Sequence, residues 1–198
     1  MVLLIAVVAG LITALLRSWI RHEKFITLKI QSVWLVFAAF LPQYLAFSLQ
    51  VTRERIPDSW IPFILIGSLL LLIAFVWQNR KLPGMWIMGL GLALNFLVIV
   101  LNHGFMPLSP ETAQKLMEPG VNVPLTLGGR VGYGKDILLQ TQDTKLWFLS
   151  DIFLLPQWLN YKVAFSIGDI FISVGAFLFL WSLGGSSRHK SPSEVEPC

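Results

Sequence analysis

At 198 residues, 55% hydrophobic and 13% charged, the chain carries about half the charge usual for a soluble domain of its size. A chain this short has little room to bury so much apolar surface against itself, which argues against a water-soluble domain. The net charge of +4 does not point to nucleic acid, because the basic residues are grouped beside apolar runs, where membrane orientation places them.

Five apolar runs, at about 2–20, 30–51, 60–77, 84–102 and 163–183, meet or approach the roughly 20 residues that cross a hydrocarbon core. They predict an all-α polytopic membrane protein. A single bundle of five transmembrane helices fills residues 1–183, with a structured extracytoplasmic loop at 103–162 between helices 4 and 5. The tail at 184–198, rich in serine and charge, reads as disordered and cytoplasmic. Its one cysteine, Cys198, has no partner for an internal disulfide and sits in no lipidation motif.

The first run lacks a basic leader, and its positive charges, Arg17, Arg21, Lys24 and Lys29, come after it. That pattern predicts a retained anchor with its N terminus outside rather than a cleaved signal peptide. Arg80 and Lys81 after the third run, and Arg188 and Lys190 after the fifth, mark the same cytoplasmic side. The link at 52–59 balances Arg53 and Arg55 against Glu54 and Asp58 and reads as exterior. Trp19, Trp34, Trp60, Trp77, Trp86 and Trp181 all fall near run ends, where an indole finds the headgroup layer.

In the second run, Gln43 beside Pro42 and Gln50 seven residues on share a face. They either line a polar cavity or bond across helices near the carbonyl that the proline frees. Gly89, Gly91, Gly168 and Gly175 permit close helix contact, although strict GxxxG spacing is absent. In the fourth run Gly91, Asn95 and Asn102 lie along one stripe. Asn102 and His103, at its outer end, are candidate binding residues; they also read as a helix C-cap with Gly104 at C′.

Within the loop, Ser109-Pro110-Glu111 is a helix start, predicting a short helix to about Met117 that ends at Pro119-Gly120. Residues 121–135 read as strands and turns, with a hairpin. Gly129-Arg130-Val131-Gly132-Tyr133-Gly134-Lys135-Asp136 nearly spells a phosphate-binding loop, but Asp136 stands where a magnesium-binding hydroxyl is required. No nucleotide is therefore expected. Residues 146–161 are strongly apolar, too short to span and broken by Pro156, which predicts a segment at the outer interface.

Asp169 is the leading candidate for chemistry, since an ionisable side chain inside an apolar run is costly. It is placed about 10 Å below the outer end of the fifth run, with Ser166 and Ser173 on the same face. The alternative is a polar anchor bonded to a neighbouring helix. Asp151 and Asp143 are its candidate partners in a two-carboxylate hydrolytic site, Asp143 also reading as a solvated turn residue. His22, His103 and His189 are too scattered for metal ligation, so no metal or cofactor is expected.

Asp151-Ile152-Phe153 followed by Phe165-Ser166-Ile167-Gly168-Asp169 resembles the C-terminal part of lipoprotein signal peptidase, signal peptidase II, over about thirty residues. The resemblance implies that Asp169 is one of two catalytic aspartates. The family's other aspartate lies in Gly-Asn-x-x-Asp-Arg, of which Asp143 keeps only the acid. The layout as a whole, with Asn102-His103-Gly104-Phe105-Met106-Pro107 at a run end, also resembles an uncharacterised family of five-span bacterial membrane proteins. Two functions follow: a non-catalytic binding, transport, scaffold or assembly module with a polar outer-leaflet site around Asp169, or a membrane-embedded aspartyl hydrolase. The missing Gly-Asn-x-x-Asp-Arg favours the first. The expected partners are the lipid bilayer and another membrane protein.

Overall fold

The computed structural model describes residues 2–22, 24–25, 27–117, 126–156 and 162–184. Cys198, the tail beyond 184, the Pro119-Gly120 helix end and most of the second half of the apolar segment at 146–161 lie outside these residues. The described chain is mostly helical: α1 Val2–Arg21, α2 Trp34–Phe47, α3 Gln50–Arg53, α4 Ile61–Gln78, α5 Met85–Leu101, α6 Pro110–Leu116 and α7 Ile167–Ser182. Two stretches, Val2–Arg21 and Asp58–Gln78, are long and apolar enough to cross a membrane; α2, α5 and α7 are shorter apolar helices.

The long helices form a row. α2 packs on α4, α4 on α5, α5 on α7 and α7 on α1. Their directions alternate along the chain. At one end of the row, Gln31, before α2, exchanges hydrogen bonds with Asn79 at the end of α4, its amide 2.8 Å from Asn79 Oδ1. Arg17, near the end of α1, lies over Trp181, near the end of α7. At the other end, Asp58, just before α4, meets Arg130 of the 103–166 segment.

Glycine sets the closest crossing. A Cβ on Gly84 would come 2.1 Å from the Gly175 carbonyl, and one on Gly91 2.4 Å from that of Gly168. On α7 the two glycines are seven residues apart, two helical turns, and share a face; they meet Gly91 of α5 and Gly84, the left-handed residue just before that helix. The antiparallel helices α5 and α7 therefore touch backbone to backbone at two levels. Gly89 faces elsewhere, toward Val76 of α4.

Several boundaries differ from the apolar runs. The run at 30–51 holds two helices, because the chain leaves the helix after Phe47 and re-forms a single turn at Gln50. The run at 163–183 becomes helical only at Ile167. Ala164–Phe165 (β4) is extended and pairs antiparallel with Phe153–Leu154 (β3), and Ser166 caps the helix. Apolar composition marks what can enter a bundle, but backbone pairing decides where a helix starts.

The 103–166 segment also departs from an all-α description. Met106–Leu108 (β1) pairs in parallel with Asp136–Leu138 (β2). Gly128 to Leu138 folds as a hairpin, with Gly128 N–H donating to Leu138 O at 2.8 Å and Leu138 N–H to Gly129 O at 2.9 Å. The near phosphate loop is the turn of this hairpin. Arg130 holds the turn closed by donating to the Gly134 and Tyr133 carbonyls, both at 2.6 Å. Ser109 caps α6 through the Thr112 amide, as its sequence predicts.

Large apolar side chains cover the outside of the row. Along α1 Gly10 and Ala14 are buried, and Trp19, Trp34, Trp60, Trp77, Trp86 and Trp181 are all exposed at helix ends. In the 103–166 segment Trp147 and Phe148 are exposed as well.

Candidate functional site

β1 is the template of the site. Asp136 lies opposite Met106 in the β1–β2 register, and the Asp151 amide donates to the Pro107 carbonyl at 3.4 Å. One buried strand thus brings together two acids fifteen residues apart. Asp151 is 2% exposed and its Oδ2 accepts from Lys135 Nζ at 2.8 Å; the lysine side chain is 35% exposed.

The Oδ1 atoms of Asp136 and Asp151 are both buried without a conventional donor among the described residues. The two carboxyl groups lie within hydrogen-bond reach of each other, which resolves both orphans at once if a single proton is shared between them. Electrostatics agrees. Burial pushes the Asp136 carboxyl up to about 7, with Lys135 opposing and the charges of Asp151 and Asp169 adding to the rise. Asp151 is raised by burial too, against the pull of Lys135 and with the help of Asp169. For Lys135, burial acts to lower the pKa, but Asp151, Asp136 and Asp169 together hold it above the ordinary lysine range. The lysine therefore stays charged.

Asp169 sits differently from its sequence expectation. It is the third residue of α7, in the first turn, and not two turns inside a helix. Its Oδ2 accepts from the Ser166 amide at 3.1 Å while Ser166 Oγ accepts from the Asp169 amide at 3.1 Å, a reciprocal capping box. The positive end of the helix dipole offsets much of the expected cost of the charge. Asn95 closes the network. Its Nδ2 donates to Asp169 Oδ1 at 2.9 Å, and its Oδ1 accepts from the fully buried Ser166 Oγ at 2.9 Å. The close crossing permits this, since a Cβ on Gly168 would lie 2.0 Å from Asn95 Oδ1. Ser173, one turn further down, is buried and its hydroxyl has no hydrogen-bond partner among the described residues.

Beneath the polar groups lies a cavity of about 350 Å³. Lys135, Asn95, Asp169 and Gln43 line it, and α1, α4, α5 and α7 contribute aliphatic walls, among them Leu3, Leu69, Leu92 and Ile172. Of the two readings of Gln43, the cavity-lining one describes its position.

Three other candidates are placed elsewhere. Asp143 is exposed on a turn, its amide donating to Gln140 O at 3.0 Å, and it does not line the cavity. His103 is exposed and occupies the C′ position itself, with φ 59°. Gly104 stands at C″ and not at C′, its amide donating to Ile99 O at 2.8 Å, and a Cβ added to it would lie 2.3 Å from Pro62 Cβ. Asn102 is a staple: its Nδ2 donates to Lys145 O and its Oδ1 accepts from the Lys145 amide, both at 2.9 Å. Its Nδ2 also donates to Val98 O at 2.8 Å, so Asn102→Ala removes three side-chain bonds from a buried position and is expected to cost about 1–3 kcal/mol. Hydrogen–deuterium exchange should show the Lys145 amide losing protection; unchanged protection there would contradict the assignment.

Lys135 and Asp136 are the site residues that sequence reasoning passed over. Their signal was present but weak, a lysine and an acid leading into the apolar Ile137-Leu138-Leu139 at the foot of a glycine-rich turn. Among the described residues, no group of three or more His, Cys, Asp or Glu side chains is arranged to hold a metal ion.

The fold and site define a mostly helical protein whose apolar helices carry a polar, charge-paired cluster at one end of the row. The chain belongs to DUF5317, a family of unknown function, whose model matches residues 27–181. The match takes in α2 to α7 up to Trp181, and α1 precedes it. No curated protein and no solved structure matches the chain.

Proposed function

We propose that this is a five-span membrane protein, N terminus outside and C terminus cytoplasmic, that acts as a non-catalytic binding module at the outer leaflet. The alternating helices, the exposed aliphatic flanks and the tryptophans at helix ends support the membrane setting. Cationic side chains cluster beside Trp77 and Trp181, at the end away from the cavity, as the positive-inside rule asks of a cytoplasmic face.

The observation that carries the binding reading is the pocket itself, apolar below and lined at its top by Lys135, Asn95, Asp169 and Gln43. An aspartyl hydrolase needs two carboxylates facing one water at the substrate. In this protein Asp136 and Asp151 do not line the cavity, and both oxygens of Asp169 already accept hydrogen bonds from Asn95 and Ser166. The geometry favours holding a ligand over cleaving one.

Native mass spectrometry of the protein extracted in mild detergent tests this reading. Wild type should retain a small molecule that Leu92→Trp, which fills the cavity, loses; Leu70→Trp, on the exposed face of α4, should keep it. Equal retention by the folded Leu92→Trp variant, or no retained molecule in wild type, would overturn the reading.

A further inference from the structure

Three features of the cavity bear on what fills it. The first is charge. Lys135 is already paired with Asp151 at 2.8 Å, and Asp169 is held by Asn95 at 2.9 Å and by its own helix terminus. A charged headgroup would have to break one of these pairs or leave a new charge unpaired in a low-dielectric site, and either is costly. Among the described residues, what remains unspent is hydrogen-bonding capacity and not a free charge: further N–H groups on the paired Lys135 ammonium, one on Asn95 and the amide of Gln43. These suit ester carbonyls and hydroxyls.

The second feature is size and wall chemistry. At about 350 Å³ the space lies at the lower end for ligand pockets, suited to one hydrocarbon chain and not two. Its walls away from the polar end are Leu, Ile and Val side chains. The third is access. α1 and α2 are the two outermost helices in the packing order α2, α4, α5, α7, α1 and both contribute to the lining, yet neither packs along the other.

We infer that the cavity admits, between α1 and α2, the single chain of a neutral acyl-ester amphiphile from the outer leaflet, its ester and hydroxyl groups meeting Lys135, Asn95 and Gln43. This inference rests on the outer-leaflet binding reading and adds the class of ligand and its route.

The test uses the full chain in lipid nanodiscs with four photoreactive probes of one chain length, each carrying a mid-chain diazirine. They are a monoacylglycerol, the matching fatty acid, an alkyl phosphate and an alkylamine. The monoacylglycerol should label peptides containing Leu69, Leu92 or Ile172 at least about fivefold more than any charged probe. Leu69→Trp should abolish that labelling, and Leu70→Trp, outward on the same helix, should leave it intact. If Leu69→Trp does not fold, Ile172→Trp serves in its place. Equal or stronger labelling of the lining by a charged probe overturns the inference. So does monoacylglycerol labelling confined to outward residues such as Phe63 and Leu70. If no probe reaches the lining while the native protein still retains a ligand that Leu92→Trp loses, the ligand class is wrong and the binding reading stands.

Discussion

Asp151→Asn is expected to lower the unfolding free energy by about 2–3 kcal/mol, while Asp136→Asn changes it by less than about 1 kcal/mol at pH 7. The two acids face each other, yet their roles differ. Asp151 is 2% exposed and is the hydrogen-bonded counter-ion of Lys135. Its loss strands an ammonium group that three neighbouring acids otherwise hold charged. Breaking a wholly buried pair costs roughly 3–5 kcal/mol; the figure is smaller here because about a third of the lysine side chain reaches solvent. Asp136, raised to about 7, is already close to half neutral at pH 7. An asparagine there keeps a donor toward Asp151 in place of the shared proton.

The same pair leaves a pH signature. An acid whose folded pKa is raised binds in the folded state a proton that the unfolded chain releases. The stability that Asp136 contributes is therefore complete below its ordinary value of 3.8 and is lost as pH rises through about 7. Thermal melting in detergent between about pH 5 and 8 should show Tm falling with pH in wild type, and the slope near 7 flattening in Asp136→Asn. An unchanged slope, or equal damage from the two substitutions, would contradict the shared proton.

Gly168→Ala should cost about 2–4 kcal/mol, combining overpacking with the loss of a buried hydrogen bond. The added methyl would sit 2.0 Å from Asn95 Oδ1 and 2.8 Å from the Gly91 carbonyl. Either the helices part or Asn95 turns away, and turning away releases both Ser166 Oγ and Asp169 Oδ1. Gly67→Ala is the matched control. Nothing lies within 4 Å of its added carbon, and alanine is the better helix former by about 1 kcal/mol, so the protein should be unchanged or slightly more stable. Melting of the two variants side by side checks the pair; similar losses in both would remove the close crossing as the cause.

The helices were legible because apolar length is a one-dimensional property: a run such as 60–77 or 84–102 needs no partner to be seen. Their ends were less so. Ala164-Phe165-Ser166 reads as the start of a long apolar run, but β3, ten residues earlier, claims Ala164 and Phe165 as a strand and leaves Ser166 to cap the helix. That shift explains Asp169. Counted from 163 the acid is deep in a helix; counted from 167 it is in the first turn, where a carboxylate belongs. Asp169 stands out in the sequence as an acid amid apolar neighbours, Asn95 and Ser166 through helical spacing, and Asp151 as a carboxylate in the loop. Lys135 and Asp136 do not, because their setting in a glycine-rich turn hides a partnership made through β1, thirty residues away. The helix crossing was half legible: Gly91, Gly168 and Gly175 stand out, but a search for glycines four apart does not find pairs seven apart.

The proposed outer-leaflet site requires that the cluster face the outside of a membrane. Labelling of intact cells with a membrane-impermeant maleimide tests it directly, comparing the native cysteine, Cys198, with a Cys198→Ser, Thr141→Cys variant that moves the single thiol to an exposed turn of the 103–162 loop. Position 141 should label on intact cells and Cys198 only after the cells are opened. Labelling of Cys198 on intact cells, or protection of position 141 until lysis, would contradict the orientation and with it the outer-leaflet site.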